Sequence, residues 1–197
     1  MIALRRTECP KIKPLQHGNC NNKYNKTALS KSTFQKCMYC ENKIGKTDYP
    51  HVEHIKPKSK FPDLEFVWDN LGWSCGVCNI NKGNRYDKMN PLINPYNEDP
   101  EKHITFLDYY AVNKKRSKRG IKTIYELQLN RTYLIEGRKE HIEKIALMTD
   151  ALDFVSSKTV LKKALAIILG EAACSKKYSA MVKCFFRRKK LMGSSKY

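Results

Sequence analysis

The sequence predicts an α+β chain, a small zinc-stapled module followed by a mainly α-helical C-terminal region. Two observations carry this. Cys37-x-x-Cys40 and Cys75-x-x-Cys78 form two pairs whose two-residue spacers let tight turns aim both sulfurs at one ion, the pattern of a tetrahedral thiolate cage. Apolar residues recur at three- and four-residue spacing beyond Ile121, whereas the stretch before Cys75 has little helical periodicity. The 34 residues between Cys40 and Cys75 exceed the roughly 15–20 of common zinc ribbons, so the cage closes a loop large enough for an element of its own. A structural zinc in so short a segment supplies on the order of 10 kcal/mol of folding free energy.

Four stretches follow. Residues 1–36 are polar and lysine-rich, with Asn19, Asn21 and Asn22 breaking any early helix and a short helix allowed from Lys23 to Lys36. Residues 37–86 hold the cysteines, with a strand stopping near Ile55 ahead of Pro57 and a short helix from Gly76 to about Gly83. Residues 87–120 open on an extended or turn-like Asn90–Tyr96, continue through a short amphipathic segment at His103–Tyr110 and end in the basic run Lys114–Arg119. Residues 121–197 read as helices around Ile121–Leu127, Leu134–Leu152, Val160–Leu169 and Tyr178–Leu191, with the periodic apolar residues as core.

Lysine and arginine outnumber aspartate and glutamate 38 to 19, a net charge of +19 on 197 residues, which is the field of a polyanion binder. Nucleic acid is the leading partner class, DNA ahead of RNA. No stretch approaches the roughly 20 apolar residues that span a membrane. Thr7-Glu8 interrupts the N-terminus before an apolar region develops, and a cytoplasmic protein is expected. Cys9, Cys20, Cys174 and Cys184 lack ligand spacing and read as free thiols, the last two in or beside helical cores.

Between the cysteine pairs lies Glu53-His54-Ile55-Lys56-Pro57, followed by Asp69-Asn70-Leu71 and then Asn79 and Lys82-Gly83. Phosphodiester hydrolysis needs an activated water, neutralised phosphorane charge and a stabilised leaving oxygen. His54 suits the first task as general base, since its ordinary pKa near 6.5 leaves much of it neutral at physiological pH. The Glu53 carboxylate and the Asn79 amide carbonyl suit a hard divalent cation, magnesium first, that shares no ligand with the cage. Neighbours on a flat strand point to opposite faces, so Glu53 and His54 address one phosphate only if the strand bends or ends there. Asn70 is expected to tie the intervening loop. Lys56, Lys58, Lys60, Lys82 and Arg85 flank the site as phosphate contacts.

These residues, in this order, resemble the HNH endonuclease family, whose fold is the ββα-metal module. The resemblance covers about residues 37–86. It implies His54 as catalytic histidine, Glu53 as acidic metal ligand, Asn70 as central asparagine, Asn79 in the last position and all four cysteines as zinc ligands. Cleavage would leave a 5′-phosphate and a 3′-hydroxyl. Glu53 is longer than the aspartate often found there and Asn79 a weaker ligand than histidine, so manganese or nickel stands beside magnesium. Phe61-Pro62-Asp63-Leu64, Asn94-Pro95-Tyr96, Leu127-x-Leu129-Asn130-Arg131 and Tyr178–Val182 look like the HNH nucleases of Septu-type anti-phage systems. That likeness implies a companion ABC-type ATPase and a hetero-oligomer.

Other residues invite blander readings. His51 shares the Glu53 face and reads as an edge histidine more readily than as a third ligand. His17, His103 and His141 have no partners by spacing. Trp73 and Tyr86 could stack on bases, though tryptophan beside a zinc knuckle is more often packing. The basic tail, residues 183–190, reads as a packed helix with a charged outer face. Lysine and arginine on phosphates carry little sequence specificity. Rival functions are a non-catalytic zinc-knuckle binding module, a partner-docking subunit and a stand-alone restriction-type HNH nuclease.

Overall fold

The computed structural model describes residues 1–10, 18–45 and 49–191, which leaves His17 outside the described residues. Helix α1, Lys23–Ser32, starts where the Asn22 side chain accepts the Asn25 amide at 3.0 Å. Strands β1, Pro50–His54, and β2, Leu71–Cys75, pair antiparallel with His51 opposite Ser74 and His54 opposite Leu71. Helix α2, Gly76–Lys82, leaves β2 without a loop and stops at Gly83, whose φ of 54° is the left-handed backbone that favours glycine.

The hairpin has two faces. Val52, Leu71 and Trp73 pack with Leu29 and Cys20 on one. The other receives the first cysteine knuckle, where Met38 donates to Trp73 O at 2.9 Å. Gly72 makes room for that contact: a Cβ there would lie 2.4 Å from Met38 Sδ and the thioether would have to shift. Trp73 is therefore packing.

Beyond the module, β3, Ile104–Leu107, and β4, Tyr110–Asn113, form a second antiparallel hairpin out of the amphipathic segment. Four helices follow: α3, Lys118–Glu126; α4, Thr132–Asp150; α5, Lys158–Gly170; and α6, Ser179–Arg188. α6 packs on β3 and α3 on β4. One continuous core joins Met38, Tyr39 and the cage to Phe106, Leu127, Leu134, Ile145, Met181 and Phe186. Glu41, next to the first knuckle, accepts from Ser179 Oγ at 2.6 Å and Lys36 Nζ at 3.1 Å, which fastens the start of α6 to the module.

Four residues expected in the core lie outside it: Ile121, Tyr125, Val160 and Ile167 are 52%, 80%, 54% and 65% exposed. In α3 the helical spacing is satisfied twice. The chain packs on Gly120, Thr123, Ile124 and Leu127, since a glycine at 120 lets the helix meet His103 O, 2.4 Å from where a Cβ would stand. That choice turns the Ile121–Tyr125 stripe outward. In α5 Ile168 is the buried residue and Val160 faces away. The basic run is split too: Lys115, Arg116 and Lys118 are exposed, while Arg119 donates to Pro91 O and Glu98 Oε2, each at 2.9 Å.

Candidate active site

The cage comes from two turns and a helix start. Cys37 and Cys40 bracket the first knuckle, Cys75 ends β2, and Cys78 lies in the first turn of α2. All four sulfurs lie within 4.8 Å of one another, with Cys40 and Cys75 Sγ 4.0 Å apart. Tetrahedral zinc with Zn–S of roughly 2.3 Å sets sulfurs about 3.8 Å apart, so donor type and spacing both fit that ion. Among the described residues this is the one cluster of three or more histidine, cysteine or acidic groups with metal-ligand spacing.

His54 closes β1, although the ladder runs one step further, with Ile55 N donating to Asn70 O at 2.9 Å. Its Nε2 lies 2.9 Å from the carbonyl oxygen of Glu65, in the loop between the strands. A carbonyl only accepts, so Nε2 carries the proton and Nδ1 keeps its lone pair. Burial lowers the His54 pKa below the ordinary value; the Glu65 contact opposes this, while Lys58 and Lys82 add to it. The imidazole is consequently neutral at physiological pH.

Asn70 sets the loop's shape. Its Oδ1 accepts from Lys56 N at 2.7 Å, and its Nδ2 donates to Lys56 O at 2.9 Å and Leu64 O at 3.0 Å. The same loop presents Glu65 O to His54, so Asn70 positions the histidine without touching it. Arg6 holds the far side of the loop, donating to Trp68 O at 2.9 Å and Leu71 O at 2.7 Å.

On the opposite face of β1, Glu53 and His51 meet α2. Glu53 is 1% exposed, with Lys82 Nζ 2.5 Å from Oε1. That contact is a short, buried ion pair to an ammonium that also reaches β1. Burial pushes the Glu53 carboxyl up to about 7, against Lys82 and a hydrogen bond with Tyr39. Lys82 Nζ also donates to His54 O at 2.6 Å. Lys82 is therefore an interior strut between α2 and β1, 3% exposed, rather than a surface phosphate contact. Asn79 is half-buried, its amide 3.3 Å from His51 Nδ1. The carboxylate oxygen and the amide fit a hard divalent cation as a donor set, and Lys82 holds the compensating positive charge.

The remaining basic residues stay outward. Lys56 Nζ sits 5.6 Å from the centre of the Phe61 ring, which itself packs edge-on against Tyr86 at 4.8 Å. Lys58 pairs with Glu65 at 2.8 Å and is more than half exposed. Lys60 is exposed, and Arg85 Nε reaches Lys82 O at 3.4 Å.

Residues 37–85, the cage with the His54 loop, match the family model for the HNH endonuclease. A Septu protein PtuB from Bacillus thuringiensis is 33% identical over 182 residues, which cover 85% of this chain and 71% of that protein. The chain belongs to the PtuB family. A second Septu protein PtuB, from Bacillus mycoides (strain KBAB4), is 32% identical over 168 residues, 69% of this chain; the match spans 57% of that relative's length. The HNH domain makes the chain an endonuclease that hydrolyses phosphodiester bonds. No helix among the described residues is long and apolar enough to cross a membrane.

Two residues the motif did not reveal complete the surroundings of the site. Arg131 places both terminal nitrogens 3.7 Å from Cys78 Sγ and one of them 4.0 Å from Cys75 Sγ. Neighbouring Asn130 clamps β4 through Ala111 N and O, both at 2.8 Å. The Leu-x-Leu-Asn-Arg segment was the signal available for Arg131, without indicating its target. Arg6 had none, as its contacts are more than 60 residues away.

Proposed function

We propose that this chain is the nuclease of a Septu anti-phage complex, with residues 37–86 as its catalytic module and His54 as general base. The observation that carries the reading is the His54 ring, held by Glu65 O with Nδ1 bearing the free lone pair. Nδ1 takes the proton of the attacking water, and the neutral state favoured by burial keeps it able to do so. Glu53 and Asn79 hold magnesium or manganese, which when bound neutralises phosphorane charge and stabilises the leaving oxygen. Asn70 orients the loop, and Lys82 fixes Glu53 and the end of β1. Lys56, Lys58 and Arg85 contact phosphates, and the cage holds structural zinc. The substrate is nucleic acid, DNA ahead of RNA, in the cytoplasm. A companion ABC-type ATPase docks on the helical region, where Leu147, Phe154 and Ile167 are 71%, 89% and 65% exposed.

The test is a cleavage panel of plasmid, linear duplex, single-stranded DNA and bulk RNA with magnesium or manganese, run with and without the co-purifying partner. Loss of cleavage by 100-fold or more in His54→Ala, with zinc content unchanged, is expected. Full activity in that variant would remove His54 as the base.

A further inference from the structure

The outward stripe of α3 borders a groove of about 690 Å³ between α3 and β4. That is within the roughly 300–1,000 Å³ of small-ligand pockets. Tyr125 stands on its wall 80% exposed, with Ile121, 52% exposed, one turn before it. Asn113 and Gln128 bring side-chain amides to the same space, and both are exposed. Arg85 and Arg131 close one side.

Charge identifies the occupant. Asn113 leads into the turn bearing the exposed cations Lys115, Arg116 and Lys118, and the one carboxylate on the wall, Glu126, has Lys122 Nζ at 3.7 Å. The groove adjoins a cavity that reaches Lys56, just after β1. Arg85 and Glu126 line both it and a second cavity of about 200 Å³, whose walls include Lys56, Lys82 and Tyr39. The groove thus offers an exposed aromatic face beside two amide side chains, with Arg85 on its wall and the exposed cations next to Asn113 in sequence.

We propose that this groove seats an unstacked nucleobase of a single-stranded nucleic-acid segment. Tyr125 and Ile121 supply the apolar face, Asn113 and Gln128 meet the base edge, and Arg85 with the Lys115–Lys118 turn holds the flanking phosphates. A paired base has both faces occupied by its neighbours and does not enter. The substrate at this position is therefore single-stranded or splayed. The inference rests on the nuclease reading for the direction of the strand, and its test reads binding rather than cleavage.

Full-length protein carrying His54→Ala binds without cutting. Its affinity is measured, at one fixed salt concentration, for single-stranded DNA, single-stranded RNA and the matching duplexes, each carrying 2-aminopurine as a fluorescent base. Adding Tyr125→Ala weakens single-strand binding by roughly 5- to 150-fold and abolishes the fluorescence quench on binding, while duplex affinity holds and Tyr125→Phe restores both. The tighter of the two single strands names the sugar. Unchanged single-strand affinity in Tyr125→Ala overturns the proposal and leaves the groove to a protein partner. An equal loss for duplex and single strand overturns it too, since the residue would then be a general contact. Tyr125-dependent binding in a protein that never cleaves, even with its partner, would sink the nuclease reading and spare the groove. Cleavage without a Tyr125 effect does the reverse.

Discussion

Replacing Asn70 by alanine separates loop order from zinc binding. The side chain makes three hydrogen bonds, to Lys56 N, Lys56 O and Leu64 O, and is 6% exposed. At roughly 1 kcal/mol net each, their loss costs the closed loop about 3 kcal/mol, and the three backbone groups left behind regain water only if the loop opens. Opening moves Glu65 O away from His54 and removes what fixes the ring's tautomer. The cage lies outside the loop and keeps its sulfurs. Native-state hydrogen exchange reads the local cost directly: the Lys56 amide, which donates to Asn70 Oδ1, should exchange about 100-fold faster, with zinc content unchanged. Asn70→Asp should be worse than alanine, because it sets a carboxylate oxygen where Nδ2 now faces two carbonyls. Cleavage at the wild-type rate in Asn70→Ala, together with wild-type exchange at Lys56, would refute the argument that Asn70 positions His54 through the loop.

Stripping zinc with a chelator, or replacing Cys37 with serine, should remove up to about 10 kcal/mol of stabilisation and unfold the shared core; circular dichroism that retains all helical signal after zinc loss would count against one continuous core. Glu98 gives the pH dependence. Burial resists its ionisation, but Arg119, Asn94 N and His103 outweigh that and hold its carboxyl below the ordinary value. A depressed carboxylate stabilises the fold fully above its unfolded pKa of about 4.3 and loses that contribution as pH falls through the folded value. The difference in melting temperature between Glu98→Gln and wild type should therefore be present at pH 7 and shrink below about pH 4, as followed by thermal melts across that range.

Much of the site was legible because its chemistry is local in sequence. Two Cys-x-x-Cys turns, a histidine before Ile-x-Pro and a glycine ending α2 each state a backbone geometry within a few residues. Alternation along β1 left a condition rather than an answer: the strand ends at His54, yet Ile55 N still pairs with Asn70 O, and Glu53 and His54 lie on opposite faces. What escaped depended on distance or on a choice between equal patterns. Nothing in the spacing of Lys82 says that it turns inward, because the carboxylate it meets lies 29 residues earlier on another element. Ile121 and Tyr125 obey helical periodicity as well as the residues that were buried. The backbone contact that only Gly120 permits decided between the two stripes, and a pattern of apolar residues does not register a glycine as a packing site. The exposed face of α5 escaped for the same kind of reason, since periodicity reports that a stripe exists and not which neighbour covers it.

Arg131 ties the helical region to the four-cysteine cluster. Four thiolates around one divalent zinc carry a net charge of −2, and the cage is largely buried, so a cation beside it is strongly favoured. Arg131 begins α4 as its N-cap and reaches across the module boundary to Cys75 and Cys78, while Arg138, one helical stretch on, fastens α4 by donating to Leu129 O at 2.7 Å. Donors to coordinating sulfur typically change metal affinity by 10- to 100-fold, and Arg131→Ala should weaken zinc by that factor in a competition with a chromophoric chelator. A lysine should recover only part of the loss, because two nitrogens of a planar fork now sit against Cys78 and a point charge cannot reproduce that. Lysine matching wild type would reduce the role to bulk charge, and alanine matching wild type would remove it. If the loss occurs as stated, any partner that shifts α4 also loosens the cage on which β2 and α2 are built, and with them the distance between Glu53, Asn79 and His54.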